Sequence, residues 1–356
     1  MAKLSDVLTI INGRNQKQVE CENGKYPIYG SGGIMGYAND YICEAETVII
    51  GRKGNINKPI FVETPFWNVD TAFGLCANRK KLNPKYLYYF CEKFDFEKLN
   101  TTVTIPSLTK ANLLSIEIPL PDLNQQERIS TYFDKVSDLI SLRKQQLAKL
   151  DELVKARFVE MFGECSSIRP QKLKEVTRRV KVGFVGTCEK YYTDNTGVPM
   201  LRTTNITSHG IDLKDLKYVT KTFHEKNLKS QVHKGDLLIA RHGSNGQANV
   251  YYGDEAQCLN AIIIEPDSNI TNPIFLVNLI NSRRVKRQIE KELVGSTQHV
   301  LNTTTLANVE VEIPAIKDQQ AFAAFVERVD QQKRTVQQSL EKLELMKKAL
   351  MQEYFG

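Results

Sequence analysis

Apolar side chains recur at steps of four and three along two stretches of the chain. The first series is Ile129, Phe133, Val136, Ile140, Leu147, Leu150, Val154 and Met161. The second is Phe322, Val326, Val329, Val336, Leu340, Leu343 and Leu350. Such steps place each series on one face of a helix. A seam kept over about five heptads is that of a coiled coil. Arg143 and Arg157 interrupt the first seam, and Lys333 and Lys347 the second. Their aliphatic stems can run past a partner helix while the charged ends reach water. Asn124 and Asp318 read as N-caps, and Gly163 as the residue that ends the first helix. Elsewhere the pattern breaks into short pieces. Thr47-Val48-Ile49-Ile50-Gly51-Arg52 reads as a buried strand entering a polar turn. Asn83-Pro84 opens a helix over 85–93, because proline fits the first helical turn. Ile116-Glu117-Ile118 is a short strand closed by Pro119 and Pro121, and the glycines at 30, 32 and 33 mark a turn.

The helical stretches belong to a longer repeat. Residues 108–163 align on 301–356 without a gap: Leu108 on Leu301, Glu117 on Glu310, Pro121 on Pro314, Gln126 on Gln319, and Phe162-Gly163 on Phe355-Gly356. The segments ahead of them match more loosely. Lys3-Leu4 and Val7 correspond to Lys172-Leu173 and Val176, and Tyr26-Pro27-Ile28 to Val198-Pro199-Met200. Gly51-Arg52-Lys53-Gly54 corresponds to Ala240-Arg241-His242-Gly243, and Asn83-Pro84 to Asn272-Pro273. The chain therefore divides into a globule at 1–123, a helix at 124–163, a second globule at 164–316 and a second helix at 317–356. The expected fold is α+β: two similar domains separated by two long antiparallel coiled-coil helices, a pseudo-two-fold internal repeat. The helices are antiparallel because the second can meet the first only by running back. A helix of about 37 residues spans on the order of 55 Å, enough to hold two heads about one turn of duplex DNA, roughly 34–36 Å, apart. Dimerisation through a generic coiled coil competes with this reading, but pairing within one chain has the advantage of a high effective concentration.

Composition narrows the function. Apolar residues at 41% suffice for two packed cores in 356 residues. Forty-eight Lys and Arg against 41 Asp and Glu leave a formal charge of +7, which fits an anionic partner without demanding one. The seven cysteines, Cys21, Cys43, Cys76, Cys91, Cys165, Cys188 and Cys258, are odd in number and form no CxxC pair. That argues against a disulfide framework or a zinc ribbon and for a reducing cytoplasm. Residues 1–6 have no apolar signal core, and no apolar run approaches the roughly 18 residues of a membrane span.

Catalytic signatures are missing. Asn83-Pro84-Lys85-Tyr86 looks like the Asn-Pro-Pro-Tyr loop of amino-methyltransferases, but Lys85 replaces the second proline and no glycine-rich cofactor loop precedes it. It reads better as a helix start. No GxxxxGK[ST] loop appears, and Asp254-Glu255-Ala256 lacks the companions of a helicase box. The histidines His209, His224, His233, His242 and His299 show no metal-ligand spacing. The chain is expected to carry no catalytic site and no metal.

Taken together, the motifs resemble the specificity subunits of type I restriction-modification systems. The marks in the first half are Tyr26-Pro27-Ile28-Tyr29-Gly30-Ser31-Gly32-Gly33, Val69-Asp70-Thr71-Ala72-Phe73, and Ile118-Pro119-Leu120-Pro121 followed by Gln125-Gln126. Those in the second are Gly235-Asp236-Leu237-Leu238-Ile239-Ala240-Arg241-His242-Gly243 and Gly295-Ser296-Thr297-Gln298. The resemblance implies a non-enzymatic reader of double-stranded DNA with two target recognition domains, each taking one half of a bipartite, asymmetric site. It implies that the long helices set the gap and dock two methyltransferase subunits acting on adenine N6, and that restriction/translocase subunits join the core. S-adenosylmethionine, ATP and Mg would belong to those partners, with no cofactor in this chain and no membrane. The second half lacks the Tyr-Gly-Ser-Gly-Gly loop and the Asp-Thr-Ala-Phe mark, so the two heads are expected to fall into different recognition subclasses.

Polar residues on loops after strands are the candidate DNA contacts. In the first domain they are Tyr29, Ser31, Arg52, Lys53, Asn55 and Lys58. In the second they are Arg202, Thr203, Thr204, Asn205, Arg241, His242, Ser244, Asn245 and Gln247. Arginine can bond guanine in a bidentate manner, and Asn or Gln can do so with adenine. Ser, Thr and Lys more often hold phosphates. Residues 102–105 and 297–299 form loops at matching places, and Gly30, Gly32, Gly33, Gly54 and Gly243 could let backbone approach the duplex. A protein-binding coiled-coil scaffold and a self-sufficient methyltransferase are the competing readings.

Overall fold

The computed structural model describes residues 1–99, 107–163, 168–207, 210–241, 246–294 and 301–356. They form two compact units, one made of Met1–Gln146 with Val336–Gly356, the other of Leu147–Thr335. The long helices run Leu123–Phe162 and Ile316–Phe355, so each unit holds one globule and a part of each helix.

In the first unit a four-stranded antiparallel sheet is ordered Leu8–Asn12, Ala72–Ala77, Thr47–Gly51, Ile60–Val62. Thr47–Gly51 is an inner strand and is buried along its length. Its unbroken apolar run is what a strand covered on both faces requires. A three-stranded sheet, Gly33–Ala38, Tyr26–Gly30, Trp67–Asn68, joins its last two strands in parallel. The helix Pro84–Lys93 begins where expected. Asn83 Oδ1 accepts from the Lys85 and Tyr86 amides at 2.9 and 3.0 Å, supplying two of the partners a helix start lacks. Its buried face, with Tyr86, Leu87 and Phe90, packs into one core with Leu4, Val48, Ile50, Phe133 of the first long helix and Met351 of the second.

The second unit repeats the scheme. Its four-stranded sheet is ordered Thr177–Val182, Ala261–Pro266, Leu237–Ala240, Ala248–Val250. A five-stranded sheet again contains one parallel pair, Val198–Arg202 with Ala256–Leu259. Smaller details coincide as well. Lys3 pairs with Glu117 in one unit, and Lys172 with Glu310 in the other. Gln126 is fully buried. It accepts from the Asn83 amide at 2.8 Å and donates to the carbonyls of Lys81 and Pro121. Gln319 does the same with the Asn272 amide and the carbonyls of Ile270 and Pro314. Each amide side chain thus satisfies buried backbone groups at the start of a short helix and ties a long helix to its globule.

Within the first unit, early residues of the first long helix meet late residues of the second. Phe133 stacks on Phe355 with ring centres 5.8 Å apart, and Lys144 pairs with Glu344 at 3.0 Å. In the second unit Phe158 lies edge-on to Phe322 at 5.4 Å, and Lys333 pairs with Asp151 at 2.6 Å. The helices are antiparallel in both units. The cations in the seams behave as long-stemmed side chains should. Arg157 lies over Phe325, and Lys347 lies over Tyr89 and bonds Glu92. The expected caps need correction. The first helix begins one residue before Asn124, and Asp122 Oδ1 accepts from the Gln125 amide. Asp318 lies inside the first turn of the second helix, its amide bonded to the Ala315 carbonyl. There its charge still favours the positive helix end. Gly163 follows the first helix and donates to the Val159 carbonyl at 2.7 Å.

Candidate nucleic-acid interface

At the end of strand Thr47–Gly51 the chain turns through Arg52, Lys53, Gly54 and Asn55. A Cβ on Gly51 would lie 2.3 Å from the Asn55 carbonyl oxygen and 3.0 Å from the Ser31 Cβ. Only glycine lets the turn close this tightly, and the same gap seats the hairpin turn at Ser31 against it. Gly54 adopts φ +74°, open to glycine at little strain. Tyr29, Ser31, Arg52, Lys53 and Asn55 are thereby gathered at one end of the two sheets, with exposed Lys58 just beyond. The Arg52 amide bonds the Thr71 carbonyl, its own carbonyl accepts from Leu108, and its guanidinium lies over Phe73 at 5.7 Å. Tyr29 is half-buried, edge-on to Phe66 at 5.4 Å. Burial and the neighbouring Tyr37 raise its hydroxyl pKa above the ordinary value. Tyr29 is therefore part of the scaffold as much as of the surface.

In the second unit Arg241 holds the corresponding place. Its carbonyl accepts from the Leu301 amide at 3.3 Å, as that of Arg52 does from Leu108 at 3.0 Å. The alignments of Arg52 on Arg241 and of Leu108 on Leu301 thus meet in one shared hydrogen bond. The side chains differ. Arg241 is half-buried, with Nε donating to the Leu301 carbonyl and Nη1 donating to Asn260 Oδ1 at 3.0 Å. Asn260 itself holds φ +55°.

Other candidates prove to be internal. Asn205 is only 3% exposed. Its Oδ1 accepts from the Arg202 amide, and its Nδ2 donates to the carbonyls of Asp212 and Asp215. Arg202 turns the same way, bonding the Asp215 carbonyl at 2.6 Å and its carboxylate at 3.0 Å. Both residues pin the excursion after strand Val198–Arg202, leaving Thr204 exposed and Thr203 half-buried. Gln247 lines a groove of about 960 Å³ with Phe158, Phe275 and Asn281. His242, Ser244, Asn245, Gly243 and the loops at 102–105 and 297–299 lie outside the described residues.

Sequence reasoning passed over the helix Arg283–Val294, which carries Arg283, Arg284, Lys286, Arg287 and Lys291. Arg284 makes a bidentate pair with Glu312. The Lys286 ammonium lies 3.6 Å from where a Cβ on Gly246 would sit. Burial pushes its pKa down to about 8, against a smaller opposing effect of Glu290. The density of cations within one helix was a readable signal.

Comparisons with known proteins agree with this geometry. The family model described as the type I restriction modification DNA specificity domain matches residues 1–152 and again 180–345. A putative type I restriction enzyme specificity subunit of Haemophilus influenzae is 24% identical over 92% of this chain and 86% of its own length. The MjaVIII specificity subunit of Methanocaldococcus jannaschii is 24% identical over 86% of this chain and 75% of its own. Among solved structures, the type I restriction-modification S subunit from M. genitalium superposes with a TM-score of 0.65 at 16% identity, covering 100% of this chain and 95% of that one. That likeness shows the fold. With the family model matched twice along one chain, each match holding a globule of the same sheet order, the chain belongs to the type I restriction-modification DNA specificity family.

Proposed function

We propose that this specificity subunit reads a bipartite, asymmetric site on double-stranded DNA, one half with each globule. The observation that carries the reading is the paired arginine, Arg52 and Arg241, at the same strand end in two globules of one sheet order. The residues that follow the two arginines differ in sequence, Lys53-Gly54-Asn55 against His242-Gly243-Ser244, which suits two unlike half-sites. Arg52, Lys53 and Lys58 in one unit, and the helix Arg283–Val294 in the other, supply cations for phosphates. The long helices set the gap between the halves and dock two methyltransferase subunits. Exposed Leu139 and Leu142 in the first unit, and Leu153 and Val159 in the second, are apolar positions that such partners can cover. Adenine N6 methylation, and cleavage by restriction/translocase subunits, take place on those partners, which bind S-adenosylmethionine, ATP and Mg. The chain itself orients DNA and performs no chemistry, working in the cytoplasm where that DNA lies. No helix among the described residues is long and apolar enough to cross a membrane.

Single-molecule sequencing for methylated adenine tests the reading in cells that make this chain with its neighbouring methyltransferase, and in cells that make either alone. A split motif methylated only when both are present is expected. Methylation with this chain alone would make it an enzyme. Salt dependence of binding separates a DNA reader from a protein scaffold, since phosphate contacts release counterions.

A further inference from the structure

The ribbon formed by strands Tyr26–Gly30 and Gly33–Ala38 has a break in its pairing. Ile28 faces Gly36 and Tyr29 faces Ile34, so Met35 is an extra residue without a partner. Such a bulge re-aims side chains that a regular strand would send to opposite faces. Here Ile34 and Met35, adjacent in sequence, are 55% and 61% exposed. The Met35 sulfur lies 2.6 Å from where a Cβ on Gly30 would sit, so it lies across the bare backbone of the ribbon near its tip. At the tip nothing lies within 4 Å of a Cβ on Gly32 or Gly33, and Gly33 holds φ +119°. The Gly32–Gly33 side of the tip is therefore open. Gly33–Ala38 is also the outer strand of its sheet. Residues 19–21 bond this strand at Tyr37 and Ala38, and Ile34 and Met35 lie beyond that contact; two neighbouring apolar side chains exposed there are costly to leave in water and invite a partner.

The surroundings indicate which partner. Ser31, in the ribbon's turn, rests against Gly51, which places the tip beside the exposed cations Arg52 and Lys53. Glu20 lies beside Gly36, back from the tip, and exposed Asp70 lies between Val69, which bonds Tyr29, and Thr71, which bonds Arg52. An open tip with cations at its flank suits a polyanion that the tip enters. The major groove of DNA admits a two-stranded ribbon, and the feature it offers an apolar side chain is the thymine C5 methyl. We infer that Ile34 and Met35 are specificity residues that contact thymine methyl groups in the half-site read by the first globule. The inference rests on the DNA-reading role proposed above. Among the described residues the second globule has no such tight-turned ribbon, since strand Val198–Arg202 leads instead into the excursion pinned by Arg202 and Asn205.

The test uses the full chain assembled with its methyltransferase, and duplexes carrying the motif found by methylation mapping. Uracil replaces thymine one position at a time; it lacks only the methyl. In one half-site a uracil is expected to weaken wild-type binding about fourfold per methyl. The variant Ile34→Ala/Met35→Ala should bind the thymine duplex correspondingly less well and be indifferent to that uracil, with affinity for random DNA unchanged. Arg52→Ala should bind both duplexes more weakly yet keep the uracil sensitivity. Wild-type protein indifferent to uracil at every thymine, or a double variant as sensitive as wild type, overturns the inference. So does a double variant that no longer assembles with the methyltransferase, which would make the ribbon a protein-docking edge. Absence of any motif-specific binding would instead strike at the DNA-reading role itself.

Discussion

Arg52 and Arg241 occupy one position in two copies of one scaffold, and their side chains live differently. Both carbonyls accept from the matching leucine amide, Leu108 or Leu301. Arg52 then lies exposed over Phe73, while Arg241 is half-buried and held by Leu301 and Asn260. The backbone hydrogen bond is shared because it belongs to the fold. The side-chain environment has diverged: Phe73 under one arginine, the Leu301 carbonyl and Asn260 around the other. Under the proposed role, conserving the frame while varying what surrounds one residue lets two heads of common architecture read different half-sites.

The comparison can be broken most sharply where the copies are most alike. Gln126→Leu should strand the Asn83 amide and two carbonyls, and Gln319→Leu the Asn272 amide and its two. Each substitution should destabilise its unit by about 1–3 kcal/mol, the cost of stranding part-buried backbone groups. Urea denaturation of each variant reads the loss. A large loss in one and none in the other would show that the shared geometry does not carry shared energy.

Lys286 sharpens the difference between the units. Its pKa in the folded chain, about 8, lies below the ordinary lysine value, because burial disfavours the ammonium. The folded state therefore binds fewer protons than the unfolded one between pH 8 and about 10.5, and stability rises with pH through that window. Below pH 8 the penalty is fully present, with an upper bound of about 3 kcal/mol. Lys286→Met should stabilise the second unit at pH 7 by a fraction of that bound, because the part-buried ammonium is screened by solvent, and the gain should shrink as pH climbs toward 10.5. A gain independent of pH would mean that packing, not charge, sets the effect.

Periodicity and repetition are local properties of a sequence, and what depended on them was legible: both long helices, the direction of their pairing, the strand Thr47–Gly51, the Asn83 cap and the match of Arg52 with Arg241. The side chains of loops were another matter. Arg202 and Asn205 follow a strand just as Arg52 and Asn55 do, and no pattern in the residues says that the first pair folds back onto Asp212 and Asp215. Gln126 served as a family mark, yet its work is to bond three backbone groups distant in sequence or outside its own turn. The cap of the first helix was misplaced by two residues because Asp122 and Asn124 are both good caps and only the chain path after Pro121 decides between them.

The two arginines themselves should respond unequally. Arg52→Ala is expected to weaken DNA binding by about 1–3 kcal/mol if its side chain reads a base, with the folding midpoint unmoved. Arg241→Ala should weaken binding by a similar amount and also lower the stability of its unit by about 1 kcal/mol, for two lost hydrogen bonds on a half-buried side chain. Binding to specific and random duplexes, with thermal denaturation alongside, separates these effects. An equal loss on both duplexes would demote either residue to a phosphate contact.

The smallest effect tests the frame once more. Asn83→Ala and Asn272→Ala remove caps that each accept from two amides at the start of a short helix. Each should cost about 1 kcal/mol. The neighbouring glutamine still holds the backbone amide at the cap position in both, so neither helix should unravel. Combined with the glutamine change in the same unit, the loss should fall short of the sum, because the cap and the clamp secure the same helix start. That shortfall should recur in both units. If it appears in one alone, the two helix starts are alike in geometry and unlike in what holds them, as the two arginines are.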